Sequence, residues 1–389
     1  MLTRPERSLA GGLVALLIAA GITTGMARQP TPTIPASSSA SAPASSSAPA
    51  AETAVAPAPV PPEADPAPPA PPPPAPAPPP PPPGPAIAGP IPAPPEPPQA
   101  GCPVPKRSGP RAPAKVLPAP AVADADLPAP LDPGPKAGDL DAVAGKGIWV
   151  TNWPDTQVDV AGLVARTKAA GLRSIWVRTG GTRQGYYGDR VLPRLVPAAH
   201  DAGLRVVAWD FPFLSDPVAD AQRAKAALDS GIDAFAPDVE TSAEGTYATE
   251  QRVALYLSLV REYAGTRPIA ATVPRPTELR RKTFPYSAFP AYADLFVPMV
   301  YWSCNEPGQL VEQSLVELGR LLPVAPVGQG YNMGTEGGRR GVPTRAETWR
   351  FLDVAKRGGA VGASLWTIEK VGQDQFAALS DYPWDVTPR

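Results

Sequence analysis

The stretch Asp229-Ser230-Gly231-Ile232-Asp233-Ala234-Phe235-Ala236-Pro237-Asp238-Val239-Glu240 decides the fold. A polar helix end runs into a glycine, the residue that closes helices in the left-handed backbone region. The chain then turns straight into a short apolar run that finishes on two carboxylates. The same phrase occurs upstream, where Ala169-Ala170-Gly171-Leu172 leads into an apolar run over 174–178 and Asp201-Ala202-Gly203-Leu204 into one over 205–210. Gly358-Gly359 repeats it ahead of 363–367. Extending the reading in both directions predicts eight strands, over 147–151, 174–178, 205–210, 234–239, 269–273, 295–300, 324–328 and 363–367. Helices are predicted over 160–170, 192–202, 219–230, 249–264, 310–321, 345–357 and 374–380, with an irregular connection over 276–292 holding at best a short helix. Strands that are almost continuously apolar and alternate with helices form a parallel sheet covered on both faces. Eight such units predict an α/β fold of the (β/α)8 TIM-barrel type. An open doubly wound sheet would need a glycine-rich phosphate loop after the first strand, and Thr151-Asn152-Trp153-Pro154-Asp155 contains no glycine.

This pattern covers only 138–389. Of the 59 prolines in 389 residues, 40 fall between Pro30 and Pro135. Proline fixes φ and lacks an N–H, so the segment 30–137 is expected to be disordered and polyproline-like, a semi-stiff spacer. A ligand for polyproline-binding domains is the other reading of it. Ahead of it, Arg4 and Arg7 precede an uncharged apolar run over 9–26, and Gly25-Met26-Ala27 offers small residues for cleavage after Ala27. Residues 1–29 therefore read as a signal peptide or, if uncleaved, a membrane anchor. Both readings make the protein secreted or cell-surface, with membrane contact through this segment alone. The alanine- and proline-rich usage suggests a bacterial source. Cys102 and Cys304, the two cysteines, either pair in that setting or remain free thiols.

Composition also restricts the chemistry. One histidine excludes two-histidine metal motifs and a histidine triad with a second working histidine, and two cysteines exclude zinc fingers and iron–sulfur clusters. The lone His200 falls at the end of a helix, on the amino-terminal face that stabilises such barrels. A net charge of −1 offers no basic footprint for nucleic acid. No cofactor or metal site is expected, and a monomer is. Carboxylates, hydroxyls and amides must then do any catalysis.

In a barrel those groups belong at the carboxyl ends of the strands. The ends supply Trp153, Arg178, Asp210, Asp238, Glu240, Tyr301, Trp302, Gln329, Tyr331, Asn332, Trp366 and Glu369. Aromatic faces stack on sugar rings, while carboxylates and amides hold hydroxyls. Asp238 and Glu240, two residues apart, point the same way. Neighbouring carboxylates raise one another's pKa, which supplies a protonated acid near neutral pH, the requirement of glycoside hydrolysis. The end of the seventh strand, Gly328-Gln329-Gly330-Tyr331-Asn332, carries no carboxylate, so a further acid would come from Asp210, Asp155 or Glu369.

The spacing of Asp233, Asp238 and Glu240 resembles the D-G-x-D-x-D-x-E strand of family 18 glycoside hydrolases, the chitinase-like barrels. Pro298-Met299-Val300-Tyr301-Trp302 resembles that family's Met-x-Tyr segment, and Gly362-Ala363-Ser364-Leu365-Trp366 its last-strand tryptophan. The resemblance implies Glu240 as general acid, Asp238 orienting a 2-acetamido group that attacks the anomeric carbon, and Tyr301 holding that group. Ala234 and Ala236 stand where the family has glycine and its middle aspartate, Pro237 interrupts the motif, and Trp302 replaces an aspartate. The Asp-Val-Glu triplet is also similar to family 25 lysozyme-like barrels, whose early aspartate is absent from Gly147-Ile148-Trp149. The expected partner is a polysaccharide, peptidoglycan or another N-acetylhexosamine polymer. The alternative is a non-catalytic carbohydrate-binding barrel, suggested by Ala236.

Overall fold

The computed structural model describes residues 116–333 and 343–384. The segment 1–29, the spacer as far as residue 115, and Cys102 lie outside the described residues. The strands are β1 (Gly145–Val150), β2 (Ser174–Gly181), β3 (Gly185–Tyr186), β4 (Arg205–Phe211), β5 (Ala234–Pro237), β6 (Ala270–Pro274), β7 (Leu295–Val300), β8 (Val327–Gln329) and β9 (Gly362–Trp366). The helices are α1 (Val160–Ala169), α2 (Leu192–Asp201), α3 (Pro217–Leu228), α4 (Glu250–Ala264), α5 (Glu278–Thr283), α6 (Pro307–Leu318), α7 (Arg345–Arg357) and α8 (Gln373–Asp381).

Local chemistry sets these boundaries. Side chains of Asp159, Asp216, Thr249 and Glu306 accept from first-turn amides of α1, α3, α4 and α6, and Thr344 with Glu347 forms a reciprocal capping box on α7. Gly203 and Gly231 sit at φ +77° and +80°, the left-handed turns that send α2 and α3 into the next strand.

The parallel strands run β5-β4-β2-β1-β9-β8-β7-β6, with β3 a short antiparallel hairpin arm on β2. Single bridges Phe235↔Ile269 and Asp238↔Thr272 join β5 to β6 and close the ring. The result is the eight-stranded parallel barrel wrapped by helices that the glycine-strand repeat predicts.

Strand side chains alternate between two cores. One set, including Ile175, Val177, Val206, Ala208 and Phe235, packs outwards against the helices. The other fills the barrel lumen. There Trp149 stacks on Trp176 at 4.9 Å, and Trp209 lies 5.5 Å from Trp149 and 5.3 Å from Trp366. Their buried N–H groups are satisfied: Trp149 donates to Ser364 Oγ (2.8 Å), Trp176 to Ser174 Oγ (2.9 Å) and Trp209 to the Val150 carbonyl (3.1 Å). Space for these indoles comes from small residues. Ala234, Ala236 and Ala270 line the facing strands, and a Cβ on Gly147 would meet the Trp176 ring nitrogen at 2.6 Å.

The final part of the proline-rich stretch is tied to the barrel rather than free. Val122 N–H donates to the Ser215 carbonyl, Leu131 N–H to Ser258 Oγ, and Ala137 N–H to Asp294. Arg252, almost fully buried, donates to the Val122 carbonyl and pairs with Asp124. Among the described residues no helix is long and apolar enough to cross a membrane. Cys304 is not a free thiol.

Candidate active site

The carboxyl ends of the strands surround a cavity of about 130 Å³. Trp149 and Trp366 form its floor; Asp238, Glu240 and Thr272 make one wall; Met299, Tyr301, Val327 and Met333 make the other. This is smaller than the few hundred Å³ of an ordinary ligand pocket.

Asp238 and Glu240 reach the cavity because β5 ends at the seam. Ala234, Ala236 and Asp238 share the lumen side, and the Asp238↔Thr272 bridge holds the strand end in place. Asp238 is 8% exposed, and its Oδ1, like the neighbouring Thr272 Oγ1, has no hydrogen-bond partner among the described residues. Buried polar atoms are nearly always paired, and these two oxygens face the cavity without a protein partner among the described residues. Burial pushes the Asp238 carboxyl up to about 7, with the Arg178 guanidinium opposing and Asp210 and Glu244 adding. Glu240 is half-buried. Burial, then the charges of Asp238 and Glu244, raise its carboxyl well above the usual range, and Arg280 on α5 opposes them. The two titrate as a pair, and the arrangement keeps one proton available near neutral pH.

Other predicted residues fall into distinct places. Tyr301 and Trp366 join the carboxylates. Trp302 does not. As the neighbour of inward-facing Tyr301 it points outwards, fully buried, stacked 5.5 Å from Phe351 of α7. Asp210, next to inward-facing Trp209, also points out of the lumen; Arg223 of α3 donates to it (2.8 Å) and to Asp220 (2.7 Å). Gln329 is buried and ties two loops, accepting from Ser303 N–H (2.9 Å) and donating to the Tyr331 carbonyl (3.0 Å). Lys370 lies over the Tyr331 ring at 4.9 Å, and Asn332 is exposed. Glu369 accepts from Thr151 N–H (2.7 Å), anchoring the end of β1 to that of β9. Arg178 stands at the top of the lumen beneath the exposed ring of Trp153, 4.3 Å away.

Asp233 lies at the opposite end of β5. It accepts from Val206 N–H (2.7 Å) and Arg205 and meets the His200 ring (2.9 Å). The lone histidine thus sits at the amino end of the barrel. Met299 is the methionine of the Met-x-Tyr segment, whereas Thr272, Val327 and Met333 carry no sequence signal that marks them as lining. Among the described residues no group of three or more His, Cys, Asp or Glu side chains is placed to hold a metal ion.

No family model and no curated protein matches the chain. Solved structures do. A family 18 chitinase of Flavobacterium johnsoniae is similar at 12% identity and a TM-score of 0.45, over 61% of this chain and 93% of that one. A chitinase of Rhizomucor miehei is similar at 16% identity and 0.47, over 61% and 99%. The spore cortex-lytic enzyme of Bacillus megaterium is similar at 10% identity and 0.47, over 63% and 75%.

Proposed function

We propose that the barrel is a glycoside hydrolase acting on a cell-wall or other polysaccharide outside the cytoplasm, with Glu240 as general acid and Asp238 as its partner. The observation that carries this reading is the pair of carboxyls, both raised by burial, on one wall of a cavity floored by indoles. A sugar ring stacks on Trp366, and Glu240 gives its proton to the glycosidic oxygen as the C1–O bond breaks. In an N-acetylhexosamine substrate the acetamido carbonyl oxygen bonds to C1 in place of the leaving group. Asp238, as carboxylate, accepts the acetamido N–H. Water then attacks C1, loses its proton to Glu240 and releases the acetamido oxygen. The orphaned oxygens of Asp238 and Thr272 suit such a group. Residues 1–29 export the chain, as a cleaved signal or a retained anchor, and the proline-rich segment holds a monomeric barrel clear of the membrane.

Ala236 favours a second reading, a barrel that binds glycan without cutting it. It lies below Asp238 and beside Trp209, where the resemblance puts a third acid. Labelled wall polymers separate the two. Glu240→Gln abolishes hydrolysis and spares binding if the first holds. Binding without turnover by the natural protein supports the second, and neither binding nor turnover defeats both.

A further inference from the structure

The lumen-facing side of β2 rises from Ser174 through Trp176 to Arg178, and Arg178 is 4% exposed. Its guanidinium lies between two indoles, 4.3 Å from the Trp153 ring and 5.1 Å from that of Trp209. The loop over it is pinned locally: Asn152, at φ +39°, donates from its side-chain amide to the Arg178 carbonyl (2.8 Å). Of the five guanidinium N–H groups, only Nε–H has an acceptor among the described residues, the Gly180 carbonyl at 3.2 Å.

The other buried arginines differ. Arg252 donates to the carbonyls of Leu214, Ser215 and Val122 and pairs with Asp124. Arg261 donates to three carbonyls and pairs with Asp294. Arg223 pairs with two aspartates. Unmet donors on a buried cation are costly, and of this set Arg178 has one hydrogen bond and no carboxylate in hydrogen-bond contact. A second unused donor lies within electrostatic reach of it. Tyr187 is 4% exposed, and its hydroxyl has no partner among the described residues. Burial holds the phenol protonated, up to about 12, with Arg178 the first charge that opposes it.

We propose that Arg178, roofed by Trp153 and helped by the Tyr187 hydroxyl, receives a carboxylate carried by the sugar, so the substrate is an anionic glycan. The group is the lactyl ether of a muramyl residue or the C6 carboxylate of a uronate; both present a planar anion to a planar guanidinium fork. This rests on the glycan reading above and narrows it. A neutral polymer would leave the terminal N–H groups of Arg178 without acceptors, its charge offset only at a distance by Asp238 and Asp210. An anionic one approaches a mouth already holding Asp238 and Glu240 because Arg178 supplies the opposing charge there, as Arg280 does beside Glu240.

The test is equilibrium binding, read by tryptophan fluorescence on the full chain carrying Glu240→Gln. The probes are a muramyl-containing disaccharide, a uronate-containing disaccharide, and each with its carboxyl reduced to the alcohol. One acid binds about 10- to 100-fold tighter than its own alcohol, the worth of a charge-assisted hydrogen bond, and which acid does so identifies the source. Arg178→Gln removes the difference and keeps the alcohol's affinity. Should that variant not fold, Arg178→Lys, which keeps the charge and loses the fork, must reduce it. Equal binding of acid and alcohol, or discrimination that survives at position 178, overturns the proposal. Because no turnover is read, a barrel that binds glycans but never cuts them leaves the carboxylate proposal standing while the hydrolase reading falls.

Discussion

Asp238→Asn should make the protein more stable, and by an amount that depends on pH. The carboxyl lies near 7 in the folded chain against an ordinary value of 3.8. Burial raises it, so the folded state binds the proton more tightly than the unfolded state. Stability from this group is therefore full below about pH 4, falls as pH rises towards 7, and is flat above. At about 1.4 kcal/mol per pH unit, the loss approaches ~4 kcal/mol, an upper figure because buried sites relax. Asparagine keeps the shape and never ionises. The cleanest comparison is Glu240→Gln against Glu240→Gln with Asp238→Asn, which removes the coupling between the two acids. Urea unfolding at pH 5, 6, 7 and 8 should show the gain from Asn growing up to pH 7 and then levelling. A gain that is constant with pH, or absent, would mean that Asp238 is an ordinary solvated carboxylate. No proton would then be held in this mouth near neutral pH.

Three further outcomes follow from the packing. Arg223→Met leaves Asp210 and Asp220 buried without their cation and should cost about 3–5 kcal/mol. With its carboxyl at about 6 even beside Arg223, Asp210 makes that cost smaller at pH 5 than at pH 8 in the same unfolding assay. Trp302→Ala should destabilise by about 3–5 kcal/mol while activity per folded molecule is kept, since its ring packs on Phe351 rather than on the mouth; a selective rise in KM would place it in the site after all. Trp366→Ala should raise KM about tenfold through lost stacking with a smaller change in kcat, measured on short glycans and corrected for the folded fraction.

The helix-glycine-strand phrase, repeated ahead of four strands, was enough to predict the barrel, because each glycine ends a helix and turns the chain into an apolar run. Boundaries moved where proline or a cap acted. The ladder of β8 starts at Val327 rather than 324 because Pro326 has no N–H to donate, and an isolated bridge remains at Val324. The helix predicted from 310 begins at Pro307, since Glu306 caps it. Within the site, Asp238, Glu240, Tyr301 and Trp366 follow from strand ends alone. Trp302 and Asp210 needed the alternation rule applied one residue further: neighbours of inward side chains face the helices. Thr272, Val327 and Met333 are chemically quiet residues whose place depends on which strands become neighbours. The unmet donors of Arg178 appear only when every other buried arginine can be seen to have its acceptors.

Glu240 is read here as delivering a proton to a glycosidic oxygen. The most direct test of this role is reducing-end release from labelled, purified wall glycan by the natural protein and by Glu240→Gln, with binding measured on the same polymer. With Glu240 as the acid, the natural protein turns over the glycan and the variant does not, at unchanged affinity. Equal turnover by both, or binding with no turnover by either, would contradict it.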